Sequence, residues 1–183
     1  VSVVENELIQ RMKAGDRQEA FEQLYRLYAD QAIRTAAAIT LNQASAADVV
    51  QETFIRVYRN IENYDIGKPF KPWFNRILMN ECNRYLKKHS RVIPSEIDEE
   101  RDLPSDTDTY DFDRHGEIYE LVQQLDDIHR VPVILKYLND LADQDIADIL
   151  GLNLNTVKSR LFKARNKLRG WMTTSKGGSI HGA

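Results

Sequence analysis

Apolar residues recur at helical spacing through both halves of the chain. Phe21, Leu24, Tyr25, Tyr28 and Ala32 fall three and four apart, the spacing that gathers side chains on one buried helix face. Val50, Phe54, Val57 and Ile61 form a second stripe. Residues 73–88 give a third, with Phe74, Ile77, Leu78, Cys82, Tyr85 and Leu86 on its apolar side. Gly67, Pro69 and Pro72 interrupt the pattern, which predicts a loop over 63–71. A stretch containing Pro94, Pro104 and Gly116 has little periodicity and reads as a linker. Helical spacing resumes at Ile118, Leu121, Val122 and Leu125, continues over 131–138, and returns from Asp143. The last residues, 175–183, are Gly/Ser-rich and read as a frayed tail. With no repeat and no alternating strand, the pattern predicts an all-α fold of two small domains. These span 1–92 and 117–174, joined by a linker over 93–116.

Charge sharpens this division. Between Ile93 and Glu117 ten acidic residues face only Arg101 and Arg114, a net −8 in a chain whose total is −3. The remainder is therefore net positive, and after Asp148 seven basic residues follow with no acidic one. Two neutral-to-basic bodies on an acidic strap suit a polyanionic partner, although charge alone leaves a clustered solvated surface equally open. Hydrophobic residues at 42% and charged ones at 29% describe a globular chain rather than a disordered one. No apolar run approaches the roughly 20 residues that span a bilayer. The lone Cys82 forms no internal disulfide and no cysteine-rich zinc site, which favours a reducing compartment such as the cytoplasm.

The C-terminal body carries the most legible motif. From Leu141 the chain reads L-A-D-Q-D-I-A-D-I-L-G-L-N-L-N-T-V-K-S-R-L-F-K-A-R-N-K-L-R. Ile146, Ala147 and Leu150 point inward from a first helix, and Gly151 stands where a helix end needs positive φ. Asn153 is placed to cap the next helix, whose apolar stripe is Val157, Leu161, Ala164 and Leu168. Lys158, Ser159, Arg160, Lys163 and Arg165 occupy the remaining surface. A tight turn between two short helices, the second basic, matches the element that enters a DNA major groove. Phe162 lies off the apolar stripe, free to touch a thymine methyl or a sugar. A helical hairpin with a solvated basic face is the plainer alternative.

Two further surfaces stand out in the N-terminal body. Arg76, Asn80, Arg84 and Lys87 recur along the third helix beside its apolar stripe. Cations hold phosphates there, while an amide can both donate to and accept from a base edge. Upstream, Tyr64, Lys68, Phe70, Lys71 and Trp73 mix aromatic rings with charge, as single-stranded nucleic acid requires. Phe74 reads as a core anchor, and Trp73 fits either role. On the second helix Asp48, Gln51, Glu52, Ile55, Arg56 and Arg59 share an outward face, either ordinary surface or a dock for another protein's helix. His89, His115, His129 and His181 lack ligand spacing and Gly67–Lys68 is no phosphate loop, so neither catalytic residues, metal nor cofactor are expected.

Together these blocks resemble the bacterial extracytoplasmic-function sigma factors from about Ala20 to Trp171. A-F-E-Q-L-Y-R-L-Y at Ala20, D-V-V-Q-E-T-F-I-R-V-Y at Asp48, P-F-K-P-W-F-N-R-I-L-M-N at Pro69 and T-V-K-S-R-L-F-K-A-R at Thr156 occur in the family's order. The resemblance implies sigma region 2 over 20–91 and region 4 over 117–171. Asp48, Gln51, Glu52, Ile55, Arg56 and Arg59 would grip the beta-prime clamp helices of core RNA polymerase, with Phe54 supporting from the core. Region 4 would also meet the beta flap. Residues 64–71 would capture a flipped base of the minus-ten element, with Asn80 and Arg84 below. Asn155, Thr156, Lys158, Ser159, Arg160, Phe162, Lys163 and Arg165 would read the minus-thirty-five duplex. The acidic linker would follow the path of exiting RNA. An anti-sigma factor, membrane-anchored in many relatives, would silence the protein, and no small-molecule substrate is implied.

Three positions depart from the family pattern. Ala142 replaces the usual Ser or Thr cap, leaving Asp143 to take over, while Asn155 replaces a small Gly and Pro72 precedes Trp73. A two-domain repressor predicts tight operator binding without polymerase and leaves the Asp48 motif unexplained. An enzyme lacks a convergent site.

Overall fold

The computed structural model describes residues 3–90 and 116–177. α1 (Val3–Lys13), α2 (Arg17–Thr40), α3 (Gln43–Asn60) and α4 (Phe70–Ser90) build the first module, with one 3₁₀ turn at Ile61–Asn63. α5 (Gly116–Gln123), α6 (Asp127–Val133), a π turn at Ile134–Leu138, α7 (Asp143–Leu150) and α8 (Leu154–Gly177) build the second. Among the described residues there is no strand, in keeping with the all-α expectation. The expected linker lies outside the described residues apart from Gly116, which opens α5, and so do residues 178–183. α8 continues to Gly177, into the stretch expected to be frayed.

The periodic stripes become the first core. Leu24, Tyr28 and Ala32 of α2, Val50, Phe54 and Val57 of α3, and Phe74, Leu78 and Cys82 of α4 are all buried. Tyr28, Phe54, Phe70 and Phe74 form a chain of ring contacts, with centroids 5.0–5.9 Å apart. Such tilted and edge-on pairs add stabilisation beyond area burial alone. Buried Thr35, Thr40 and Thr53 return their hydroxyls to carbonyls four residues back, so no donor is stranded. Asn42 caps α3 by accepting from the Ser45 N–H at 3.1 Å.

Several local details correct the sequence reading. Residues 3–13 form a helix that the periodicity did not reveal, burying Leu8, Ile9 and Met12. The predicted loop is shorter than 63–71, because Asn63 belongs to the 3₁₀ turn and Phe70 starts α4. Pro72 falls in the first turn of α4, where its missing N–H removes no helical bond. Tyr25, expected on the buried face of α2, is substantially exposed.

In the second module, Gly151 ends α7 at φ +64°, a left-handed conformation easy for glycine alone. Asn153 Oδ1 accepts from the Asn155 N–H at 2.8 Å and opens α8. Ile146, Ala147, Val157, Leu161 and Ala164 then close the second core with Leu125, Leu135 and Leu141. Asp143 does not cap α7 as expected. Its carboxylate pairs with Lys136 Nζ at 2.8 Å, and the N-terminus of α7 has no side-chain cap.

The modules dock on one another. Ile134 of the π turn joins the first core against the alanine-rich half of α2. Gln31 Nε2 donates to the Leu138 carbonyl at 2.5 Å, and Asn139 Nδ2 donates to Thr35 Oγ1 at 3.0 Å inside the contact. Buried Arg130 donates to the Leu125 carbonyl at 2.8 Å and reaches the Ile39 carbonyl at 3.5 Å.

Candidate protein and nucleic-acid interfaces

α3 sorts its residues by periodicity. Val50, Phe54 and Val57 face inward, while Asp48, Gln51, Glu52 and Arg59 are exposed and Ile55 and Arg56 half-buried. Phe54 is 3% exposed, a support beneath this face as expected. Gln51, Ile55, Tyr58 and Arg59 of α3 line a groove of about 750 Å³ together with Phe21 and Tyr25 of α2. The Arg17 guanidinium lies 4.3 Å from the Tyr58 ring centroid and donates to the Tyr58 carbonyl at 2.7 Å. Apolar walls with a few convergent polar groups suit the ridge of another protein's helix.

α4 places Arg76, Asn80, Arg84 and Lys87 on one exposed side, opposite buried Phe74, Leu78 and Cys82. Arg76 also donates to the Asp148 carbonyl of α7 at 3.1 Å, so the docked second module occupies one end of this face. The preceding loop is tied to itself. Asp65 Oδ1 accepts from the Gly67 N–H at 2.9 Å, Asp65 O accepts from the Lys68 N–H, and Tyr64 donates its phenol to the Lys68 carbonyl. Lys13 Nζ donates to the Tyr64 carbonyl at 2.7 Å and anchors the loop to α1.

Two aromatic candidates need correction. Tyr64 and Phe70, expected to offer ring faces to a base, are only 3% and 4% exposed. Their rings pack on Trp73 at 4.9 and 5.6 Å and continue into the core. The hydrocarbon pull of these rings outweighs any exposed role, and burial, with Asp65 and Glu5 nearby, pushes the Tyr64 phenol above its ordinary value. Trp73 stays half-buried and Lys68 exposed, with Lys71 half-buried beside Trp73. The loop thus rests on an aromatic pedestal with Trp73 as the accessible ring.

On α8, Asn155, Lys158, Ser159, Phe162, Lys163 and Arg165 are exposed, and Thr156 and Arg160 half-buried. Phe162 is 59% exposed, a large ring left in solvent on a cationic face. The sequence did not single out Tyr137 or Glu81. Exposed Tyr137, in the π turn, accepts from Arg165 through its hydroxyl at 3.3 Å. Glu81, buried on α4, faces Arg56 and Arg84. Its signal was legible: it is the sole acidic residue over 66–90. Among the described residues no three His, Cys, Asp or Glu side chains converge as a metal site.

These surfaces coincide with known domains. Residues 24–92 match the family model for sigma-70 region 2, and 115–168 that for sigma-70 region 4. The ECF RNA polymerase sigma factor SigW of Bacillus subtilis is 30% identical over 175 residues, covering 88% of this chain and 92% of that protein. The chain belongs to the extracytoplasmic-function sigma factors.

The ECF RNA polymerase sigma-E factor of Haemophilus influenzae is 31% identical over 182 residues, covering 88% of this chain and 91% of that protein. Solved structures share the fold. CnrH in complex with the cytosolic domain of CnrY superposes with a TM-score of 0.68 at 21% identity, covering 93% of this chain and 98% of that one. RpoE in complex with the anti-sigma factor NepR from Bartonella quintana gives 0.66 at 23% identity, covering 84% and 96%. As an ECF sigma factor, the protein is a transcription initiation factor whose region 2 and region 4 domains bind core RNA polymerase and promoter DNA. No helix among the described residues is long and apolar enough to cross a membrane.

Proposed function

We propose that the three surfaces divide the work of promoter opening. The outward face of α3, with Asp48, Gln51, Glu52, Ile55, Arg56 and Arg59, seats the beta-prime clamp helices of polymerase in the adjoining groove. The α8 face, led by Lys158, Arg160, Lys163 and Arg165, reads the minus-thirty-five duplex, and region 4 meets the beta flap. The loop over 64–69 and α4 capture the minus-ten non-template strand through Lys68, Lys71, Trp73, Arg76, Asn80, Arg84 and Lys87. Tyr64 and Phe70 set the shape of that loop from beneath.

The observation that carries this reading is the α4 face. An amide and several cations stand exposed on one side of a helix whose opposite side is core. Cations position phosphates without reading sequence, and Asn80 reads a base edge. Extruding one base costs a few kcal/mol. Stacking returns about 1–3 kcal/mol per base, so melting needs no nucleotide hydrolysis. The protein itself is then not an enzyme and carries no cofactor.

The factor works in the cytoplasm, and an anti-sigma partner holds it inactive, near the membrane where that partner is anchored there. One solved structure of this fold, RpoE, is in complex with the anti-sigma factor NepR. Run-off transcription with core polymerase, mapped across the genome, tests the reading. Initiation is expected at specific sites. Asn80→Ala and Arg160→Ala should each abolish it while polymerase binding persists, and unchanged promoter choice in both variants refutes the assignment.

A further inference from the structure

Glu81 holds a buried carboxylate between two helices that, on the reading above, serve different partners. Its side chain is 5% exposed in the crossing of α3 and α4. One oxygen, Oε1, pairs with Nε of Arg56 on α3, and the other, Oε2, accepts from NH1 of Arg84 on α4 at 3.3 Å. Both arginines are more exposed, 39% and 59% at the side chain. Arg56 belongs to the face proposed to grip polymerase, and Arg84 to the face proposed to hold the minus-ten strand.

A charge taken out of water requires compensation by cations and hydrogen bonds. Here the compensation comes from two guanidiniums, Arg56 against one oxygen and Arg84 against the other. An arginine carries about 2 kcal/mol of rotamer entropy, which an unrestrained side chain gives up only when it meets its ligand. A buried carboxylate in contact with both side chains would remove part of that freedom beforehand and still leave donors on each guanidinium for an incoming partner.

We infer that Glu81 is a positioning residue that sets Arg56 for polymerase and Arg84 for promoter DNA through one shared carboxylate. It touches neither partner itself. The inference rests on the functional reading above and assigns to one residue the joint alignment of two surfaces.

Double-mutant cycles test it. Wild-type chain, Glu81→Gln, Arg56→Ala, Arg84→Ala and the two doubles containing Glu81→Gln are compared in two assays. One measures affinity for core RNA polymerase. The other measures affinity of the assembled holoenzyme for a non-template single strand from a promoter mapped with the wild-type protein. Glu81→Gln should weaken both by about three- to tenfold. That loss should vanish from the polymerase assay when Arg56 is already Ala, and from the DNA assay when Arg84 is already Ala.

A purely structural role instead lowers the melting temperature and adds its effect to either arginine substitution. Additivity in either assay overturns the inference. If Gln at 81 unfolds the domain at assay temperature, Glu81→Asp is used for the same cycles. It keeps the charge but shortens the arm, and the same non-additivity is required. Wild-type protein that fails to bind polymerase refutes the functional reading itself, before Glu81 is tested.

Discussion

A thiol enclosed in hydrocarbon resists ionisation because its thiolate loses hydration. Cys82 is fully buried in α4, and burial pushes its pKa up to about 12. The reactive species is the thiolate. At pH 8 the folded protein should therefore resist an alkylating reagent that labels the unfolded chain readily, measured as labelling rate with and without denaturant. Equal rates would mean that Cys82 is reachable in the native state. Phe74 tests the same core by volume. It contacts Tyr28, Phe54 and Phe70, so Phe74→Ala should cost about 3–5 kcal/mol in urea unfolding. Phe54, Phe74 and Val157 were legible as core because each continues a stripe of helical period. Tyr64 and Phe70 were not, because beside Gly67, Lys68 and Pro69 an aromatic ring fits an exposed loop as well as a core edge. Glu81 stands out in the sequence as a single acid in a basic helix, but its role shows only when α3 is packed against it.

At the scale of elements, α6 begins beside a small electrostatic cluster. Asp126, its N-cap residue, takes the His129 ring through one oxygen and Lys167 Nζ of α8 at 3.1 Å through the other. Partial burial raises the Asp126 pKa, but the bonds from His129 and Lys167 outweigh it and hold the carboxyl below its ordinary value. A carboxyl with a depressed folded pKa adds stability above its unfolded pKa, near 3.9, and loses it as pH falls through the folded value. The side chain is half exposed, so solvent screening keeps the contribution within about 1 kcal/mol. Asp126→Asn should lower stability by that order at pH 7 and have less effect at pH 2, read from thermal melting at both values. An equal loss at both would assign the effect to the geometry of the side-chain hydrogen bonds rather than to the carboxylate charge. Elements were legible in proportion to their period. α3, α4 and α8 announce themselves over several turns, whereas Val3–Lys13 is short and becomes a stable helix only by laying Leu8, Ile9 and Met12 on the neighbouring helices.

For the whole molecule, the sequence shows two helical bodies but not how they meet, because the contact is made by scattered residues without a shared period. Asn139 and Thr35 illustrate this: both are polar, both buried, and the Asn139 amide donates to the Thr35 hydroxyl across the junction. On the proposed function, reaching two separated promoter elements on polymerase requires the modules to give up this docking. The docking also covers one end of the α4 face through the bond from Arg76 to the Asp148 carbonyl. Opening therefore exchanges an internal contact for promoter and polymerase contacts, and a weaker junction should make that exchange easier. Asn139→Asp replaces the amide donor by a carboxylate next to the Thr35 hydroxyl, where the interior offers no cation to Asn139 among its hydrogen-bond partners. A buried polar group deprived of its partner costs about 1–3 kcal/mol, more when charged. The variant should keep its helical circular dichroism, because each module retains its own core, while its radius of gyration by small-angle scattering rises above that of the wild type. A scattering curve identical to the wild type would show that the junction is held by the apolar insertion of Ile134, in which case Ile134→Ala should open it instead.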